Sequence, residues 1–422
     1  MSAIRSTRIL LLPGLAGAIG VCSPASAAFL EDSKASVEMR NFYMNRDFRQ
    51  HAAPQNKGEE WAQGFIMRYE SGFTEGTVGF GVDALGLLGV KLDSSPDRAG
   101  ATGLLPRGAQ SKRAPDDYSE LGLAAKVRVS KSTLKVGTLI PMLPVLTPNN
   151  SRLLPQTFEG GWLNSMDLSG LTFDAGRLTQ VNQRDSTNRE DMTLMKGPRR
   201  NIVTTGKATS DKFDFVGGTY AWSKTLSTGY HYAQLEDLYK QHFLTLVHVL
   251  PIAEGQSLKS DLRFADASDD GRSNVDNTLL SGMFTYTLGA HAFGLSYQKM
   301  NGDTGFANVQ GADPYLVNLV QINDFANQDE RSMQARYDYN FAAWGIPGLT
   351  FMTRYVKGDQ IELGAAGGEG KEWERNTDIG YVVQSGPLKN VGIKWRNATY
   401  RSSFASDIDE NRLILSYSLP LW

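Results

Sequence analysis

The side chains best suited to catalysis are present in this chain of 422 residues, but they do not assemble into a catalytic set. Five histidines, His51, His231, His242, His248 and His291, are scattered, and His242 and His248 share a strand parity without a third ligand nearby. The run Asp266-Ala-Ser-Asp-Asp-Gly271 opens like a calcium loop, yet its twelfth position is Asn277, where a bidentate Glu is required. There is no G-x-S-x-G elbow and no phosphate-binding glycine loop. A different chemistry is offered by Arg354, Lys394, Arg396 and Arg412, each of opposite parity to neighbouring apolar residues. A guanidinium fork holds both oxygens of a carboxylate and stays charged at any physiological pH. No metal, no cofactor and no enzyme activity are expected.

The elements that would carry these groups have a period of two. Leu349, Phe351 and Tyr355 fall on one face with Arg354 on the other, and Val391, Ile393 and Trp395 oppose Lys394 and Arg396. Leu413, Leu415, Tyr417, Leu419 and Leu421 oppose Arg412, Ser416 and Ser418. Successive side chains of a strand point to opposite sides, so each segment has an apolar face and a face that tolerates charge. Clusters such as Asp269-Asp-Gly-Arg272 and Asn301-Gly-Asp303 mark turns or loops between such segments.

The beginning of the chain carries an export signal. Arg5 and Arg8 precede the apolar run Ile9 to Val21, and Ala25-Ser-Ala27 has the small-x-small form of a peptidase site. Residues 1–27 are read as a cleaved signal peptide and 28–422 as one domain. Removing Arg5 and Arg8 from 43 basic residues against 45 acidic ones leaves 41 minus 45, a net charge of −4. That balance gives no support for a nucleic-acid surface. The single Cys22 lies within 1–27, so the mature chain has none. No later run is apolar enough for a membrane helix.

A soluble sandwich would divide into domains at this length, and no linker is visible. A transmembrane barrel instead turns the apolar faces to lipid and the charged faces to a lumen. At about 22 residues per strand with its loop, the mature length yields about 18 antiparallel strands. The fold class expected is all-β, a transmembrane β-barrel with an infolded constriction loop. The candidate loop begins at Pro141 and continues to about Gly161, because four prolines in its first 15 residues oppose sheet pairing.

Several stretches resemble the OprD family of substrate-specific outer-membrane porins, the outer-membrane carboxylate channels. They include Phe29-Leu-Glu-Asp-Ser-Lys34, Arg40-Asn-Phe-Tyr43, Asn45-Arg-Asp-Phe48, Val136-Gly-Thr138 and Pro144-Val-Leu146. Arg152-Leu-Leu-Pro-Gln156-Thr-Phe158-x-Gly160, Gly170-Leu-Thr172, Gly176-Arg-Leu178 and Asn188-x-x-Asp191-Met192 extend the match over essentially the whole mature chain. The wording is nearer the benzoate and vanillate branch than the basic amino-acid branch. The resemblance implies an 18-stranded channel in the Gram-negative outer membrane, monomeric or weakly trimeric, through which small carboxylates diffuse. Its partners would be outer-membrane lipid, lipopolysaccharide and the barrel-assembly machinery. It also implies a basic ladder leading to an eyelet: Arg152 and Arg184 match eyelet arginines, Arg49 lies near a further basic position, and Lys394, Arg396 and Arg412 match the C-terminal rungs. Parity adds Arg354. The resemblance further implies acidic groups on the wall opposite the ladder, for which Asp324, Asp167 and Asp185 are the candidates.

Overall fold

The computed structural model describes residues 29–49, 55–197, 199–364 and 367–422. The segment 1–27, with its cleavage site, and His51 lie outside the described residues. Eighteen long strands, from Lys34–Phe48 to Ile408–Pro420, form the wall, each antiparallel to the next. The first strand also pairs with the last, from Ser36 opposite Pro420 to Phe48 opposite Ile408, and this closes the barrel. The all-β architecture and strand number agree with the sequence reading.

The two-residue period becomes an inner and an outer surface. In the strand Asp276–Leu288, Leu279 is fully buried while its neighbour Leu280 is 57% exposed. Exposed leucines such as Leu280, Leu121 and Leu295 would be costly in water but belong against hydrocarbon. The inner face is polar: along Glu369–Val382 the buried positions include Glu372, Glu374, Asn376 and Asp378, whereas Ile379 is exposed. Arg412 and Glu410 are buried inward from the last strand, while Leu413 and Leu415 point out.

The two rims differ. Connections at the rim carrying the termini are often two residues long, as at Glu254-Gly255 and Gly289-Ala290. Gly255 and Gly289 have φ of +68° and +57°, a conformation that suits tight hairpins and penalises a side chain. At the opposite rim, long connections enter the lumen. Leu143, Val145 and Leu146 pack with Met192, Leu194, Phe306 and Val309 against inward residues such as Phe213 and Phe243. Leu104, Leu105, Leu153 and Leu154 fill the lumen beside Phe42, Ile66 and Tyr118.

The loop beginning at Pro141 does turn inward, but it is shorter than the sequence suggests. Thr157–Ser165 is a wall strand, so Phe158, Gly160 and Gly161 belong to the barrel and the loop ends at Gln156. Phe158 is buried because it faces the packed lumen, not because it lies in the loop. The loop is also not alone: 94–116, 183–212 and 302–330 share the lumen with it. Thr147 bridges to Asp313 and Leu194 to Val309, stitching three of these segments together. Gln156 donates to the Gln183 Oε1 and to the Gln310 carbonyl, at 3.0 and 3.2 Å.

The assigned faces can be checked by thiol labelling. S416C should react with a membrane-impermeant reagent through the lumen, and L415C should be protected by lipid; the reverse pattern would refute the orientation of the last strand.

Candidate functional site

The infolded segments block most of the lumen and leave a cavity of about 500 Å³ against the wall strands Leu349–Glu362, Gly392–Ser402 and Ile408–Pro420. Arg354, Arg396 and Arg412 reach it from those strands, and Arg152, Arg184 and Arg200 reach it from the loops. Asp313 and Asp324 are the acids on its lining. Its apolar lining includes Leu319, Ile322, Pro314 and Met195.

Strand register explains why the wall arginines need compensation. Arg396 stands directly opposite Arg412, and Arg336 directly opposite Arg354. Like charges facing each other across a sheet are destabilising. Asp378 accepts from the Arg396 Nε at 2.9 Å, and Glu410 accepts from the Arg412 Nε at 2.6 Å and from Arg46 on its other oxygen at 2.6 Å. Arg336 pairs with both oxygens of Asp338. Arg354 instead donates to the neutral Asn376 Oδ1 at 2.7 Å.

Among the loop arginines, Arg200 holds Asp324 and also donates to the Phe306 carbonyl and the Asn308 Oδ1. Arg152 donates to neutral oxygens, the Thr102 carbonyl at 2.8 Å and the Ser151 carbonyl and hydroxyl. Arg184 has no hydrogen-bonded or ion-paired partner among the described residues; its guanidinium lies against Gly103, where a Cβ would approach Nη2 to 2.9 Å. Burial lowers both the Arg152 and Arg184 values from that of a free guanidinium, yet an arginine keeps its proton even so. Arg152, Arg184 and Arg354 thus face the cavity without a carboxylate of their own.

The cavity gathers Arg152, Arg184, Arg354, Arg396, Arg412 and Asp324 from the residues singled out in the sequence. Lys394 lies beyond it, in a neighbouring recess with Arg336 and Asp338, 4.0 Å from Asp378. Asp185 sits behind the lining, close enough to Arg184 and Arg152 for both to oppose the upward push of burial on its carboxyl. Two residues are elsewhere. Arg49 is exposed at the loop rim, paired with Asp409 at 2.5 Å, because the first strand ends at Phe48 and releases it from the lumen. Asp167 closes a turn at the opposite rim, accepting from the Lys131 N–H at 2.9 Å and from the Ser132 hydroxyl, and so is no wall of the constriction.

Sequence reasoning missed Arg200 and Asp313. Both lie in irregular segments where no parity indicates a direction, although the runs Lys196-Gly-Pro-Arg-Arg200 and Gly311-Ala-Asp-Pro314 are conspicuous breaks in the strand pattern. Asp313 accepts from the Asn149 Nδ2 at 2.6 Å.

The family description "outer membrane porin, OprD family" matches residues 27–421. The chain belongs to the OprD family. The chain is 40% identical to Porin D of Pseudomonas aeruginosa, across 93% of this chain and 92% of that one. It is similar to the crystal structure of Pseudomonas aeruginosa OpdQ, with a TM-score of 0.87 and 66% identity over 94% of this chain and 100% of the other. It is also similar to Pseudomonas aeruginosa OpdK solved with vanillate, with a TM-score of 0.85 and 40% identity over 93% and 100%. As an OprD-family porin it is a substrate-selective outer-membrane channel and not an enzyme. Its setting is the Gram-negative outer membrane, with lipid, lipopolysaccharide and the assembly machinery as general partners.

Burial pushes the Asp313 carboxyl up to about 6, with Arg184 and Arg152 pulling the other way. Because that value lies above the ordinary carboxylate range, Asp313 is neutral below it and becomes an anion as pH rises through about 6. Preference for chloride over potassium, read as a reversal potential across a salt gradient, should therefore strengthen as pH is lowered through this range. D313N should remove most of the step; an equal step in D313N would assign it to another group.

Proposed function

We propose that this porin admits small monocarboxylates with an apolar body, aromatic acids such as benzoate or vanillate among them. The observation carrying this reading is the trio Arg152, Arg184 and Arg354, which faces the cavity with no carboxylate partner among the described residues. A narrow passage whose fixed charges are not internally neutralised presents an attractive site to an anion, and its dry walls strengthen the attraction relative to water. The substrate carboxylate takes the place that Asp378 and Glu410 hold for Arg396 and Arg412. The hydrocarbon part lies against Leu319, Ile322 and Pro314. OpdK, the relative solved with vanillate, supports an aromatic acid as a suitable probe.

In this reading Lys394 is the next rung toward the rim with the termini, and Asp324 and Asp185 temper the field. Spacing the contacts along a route avoids one deep trap, which transport requires. A channel for basic amino acids is the second reading, favoured by Asp313 on the same lining. Four further wall and lining acids, Asp324, Asp338, Asp378 and Glu410, are each paired with arginine, and Glu372 and Glu374 are occupied by the infolded loop, which weighs against a cationic substrate. Residues 1–27 act as the export signal and are removed, and the barrel works as a monomer or weak trimer.

Single-channel recordings with benzoate and a neutral solute of similar size test the assignment. R184Q and R354Q should each lower benzoate occupancy several-fold, since a charge-assisted contact contributes about 1.5–3 kcal/mol before screening. The neutral solute should change far less, and the difference should shrink at high salt. Equal, salt-independent losses for both solutes would refute a charge-guided path, and stronger uptake of arginine by the wild type would favour the second reading.

A further inference from the structure

Glu374 projects inward from the strand Glu369–Val382, has no exposed area, and does not line the cavity. Its carboxylate is instead occupied by the infolded chain. Oε1 accepts the backbone N–H groups of Gln321 and Ile322 at 3.1 and 3.0 Å, and Oε2 accepts that of Asn323 at 3.0 Å. Asn376 Nδ2 adds a fourth bond at 2.7 Å. Successive backbone N–H groups converging in this way form an anion-binding nest, here filled by a side chain of the wall.

The segment held is the one that forms the loop side of the constriction. Val320, Ile322 and Asp324 line the cavity from it, opposite Arg354 and Arg396. Two further wall carboxylates grip the same segment: Glu410 accepts from Gln321 Nε2 at 3.0 Å, and Glu372 from Asn323 Nδ2 at 2.6 Å. Those bonds use side chains, whereas Glu374 fixes the backbone itself.

We propose that Glu374 is a positioning residue for permeation: by binding the backbone of residues 321–323, its carboxylate sets the aperture between the loop and the arginine wall. A glutamine cannot replace it, because an amide has one acceptor oxygen and would turn its NH2 toward a peptide N–H. Released from the wall, the segment relaxes, the passage widens, and ions cross farther from the arginines.

The test uses the purified full-length channel in a planar bilayer under a potassium chloride gradient, with heat-modifiable mobility as the check on the barrel. E374Q should raise conductance roughly twofold or more and move the reversal potential toward zero, because field focusing falls as a pore widens. A role through charge alone gives the opposite sign, stronger anion selectivity at unchanged conductance, since one negative group has been removed. Either that result or wild-type behaviour in both quantities would overturn the proposal. Should E374Q fail to insert, E374D is read in the same way: its carboxylate survives but is retracted by one methylene, so conductance should rise and the reversal potential move toward zero with no change of formal charge. Wild-type conductance in E374D would overturn the proposal. Only salt is used, so the result stands apart from whether benzoate is the substrate.

Discussion

The seam where Ser36–Phe48 pairs with Ile408–Pro420 leaves no strand edge open to lipid, and from that closure follows the direction of every side chain in the wall. A closed sheet in hydrocarbon must present apolar groups outward along its whole circumference. Because strand side chains alternate, the inward half of the sequence is then free to be polar, and here it is densely charged. The charge is possible only because the lumen provides partners for it. Unpaired, a buried carboxylate or guanidinium would carry a desolvation penalty of several kcal/mol.

The distribution of those partners separates scaffold from site. Glu410 lies between Arg46 and Arg412, Asp378 serves Arg396, and Glu372 and Glu374 bind the infolded loop. Such groups are tied to the wall and cost the channel little selectivity, since their charge is answered locally. Arg152 and Arg354 are held by neutral oxygens instead, which fix their direction without cancelling their field. A neutral acceptor orients a guanidinium without cancelling its charge, which on the proposed reading is left for a passing anion.

Much of this was legible in the sequence, and the boundary has a physical basis. Strand parity placed Arg354, Arg396 and Arg412 inward, because lipid enforces alternation in Leu349–Glu362, Gly392–Ser402 and Ile408–Pro420. It also assigned Leu415 and Ser416 to opposite faces. In the loops no such rule operates. Arg152 and Arg184 were found by family resemblance, whereas Arg200 and Asp313 are positioned by contacts more than a hundred residues away along the chain, Arg200 on Phe306 and Asp313 on Asn149. Asp167 shows the converse: a carboxylate near the eyelet sequences in order of residues lies at the other rim in space. The resemblance likewise overreached for Arg49, which follows the last residue of its strand and answers to Asp409 at the surface.

The division of labour between wall and loop also bears on how such a channel changes substrate. The wall arginines are fixed in register, and moving one by a single residue would turn it into lipid. The loop side is bound by tolerances of a different kind. At Gly311, with φ of +81°, a Cβ would fall 2.0 Å from the Gln183 Oε1, so even there the packing of three loops constrains the backbone. Yet Leu319, Ile322 and Pro314 meet the cavity through side chains whose size alters the passage without touching the sheet. On the proposed reading, charge class is set by the barrel and by the loop arginines that it orients, while the shape of the permeating body is set by a few apolar positions on a clasped loop. Substitutions at those positions would then retune selectivity at small cost to the fold, whereas substitutions at the proposed clasp would act on the aperture for every ion.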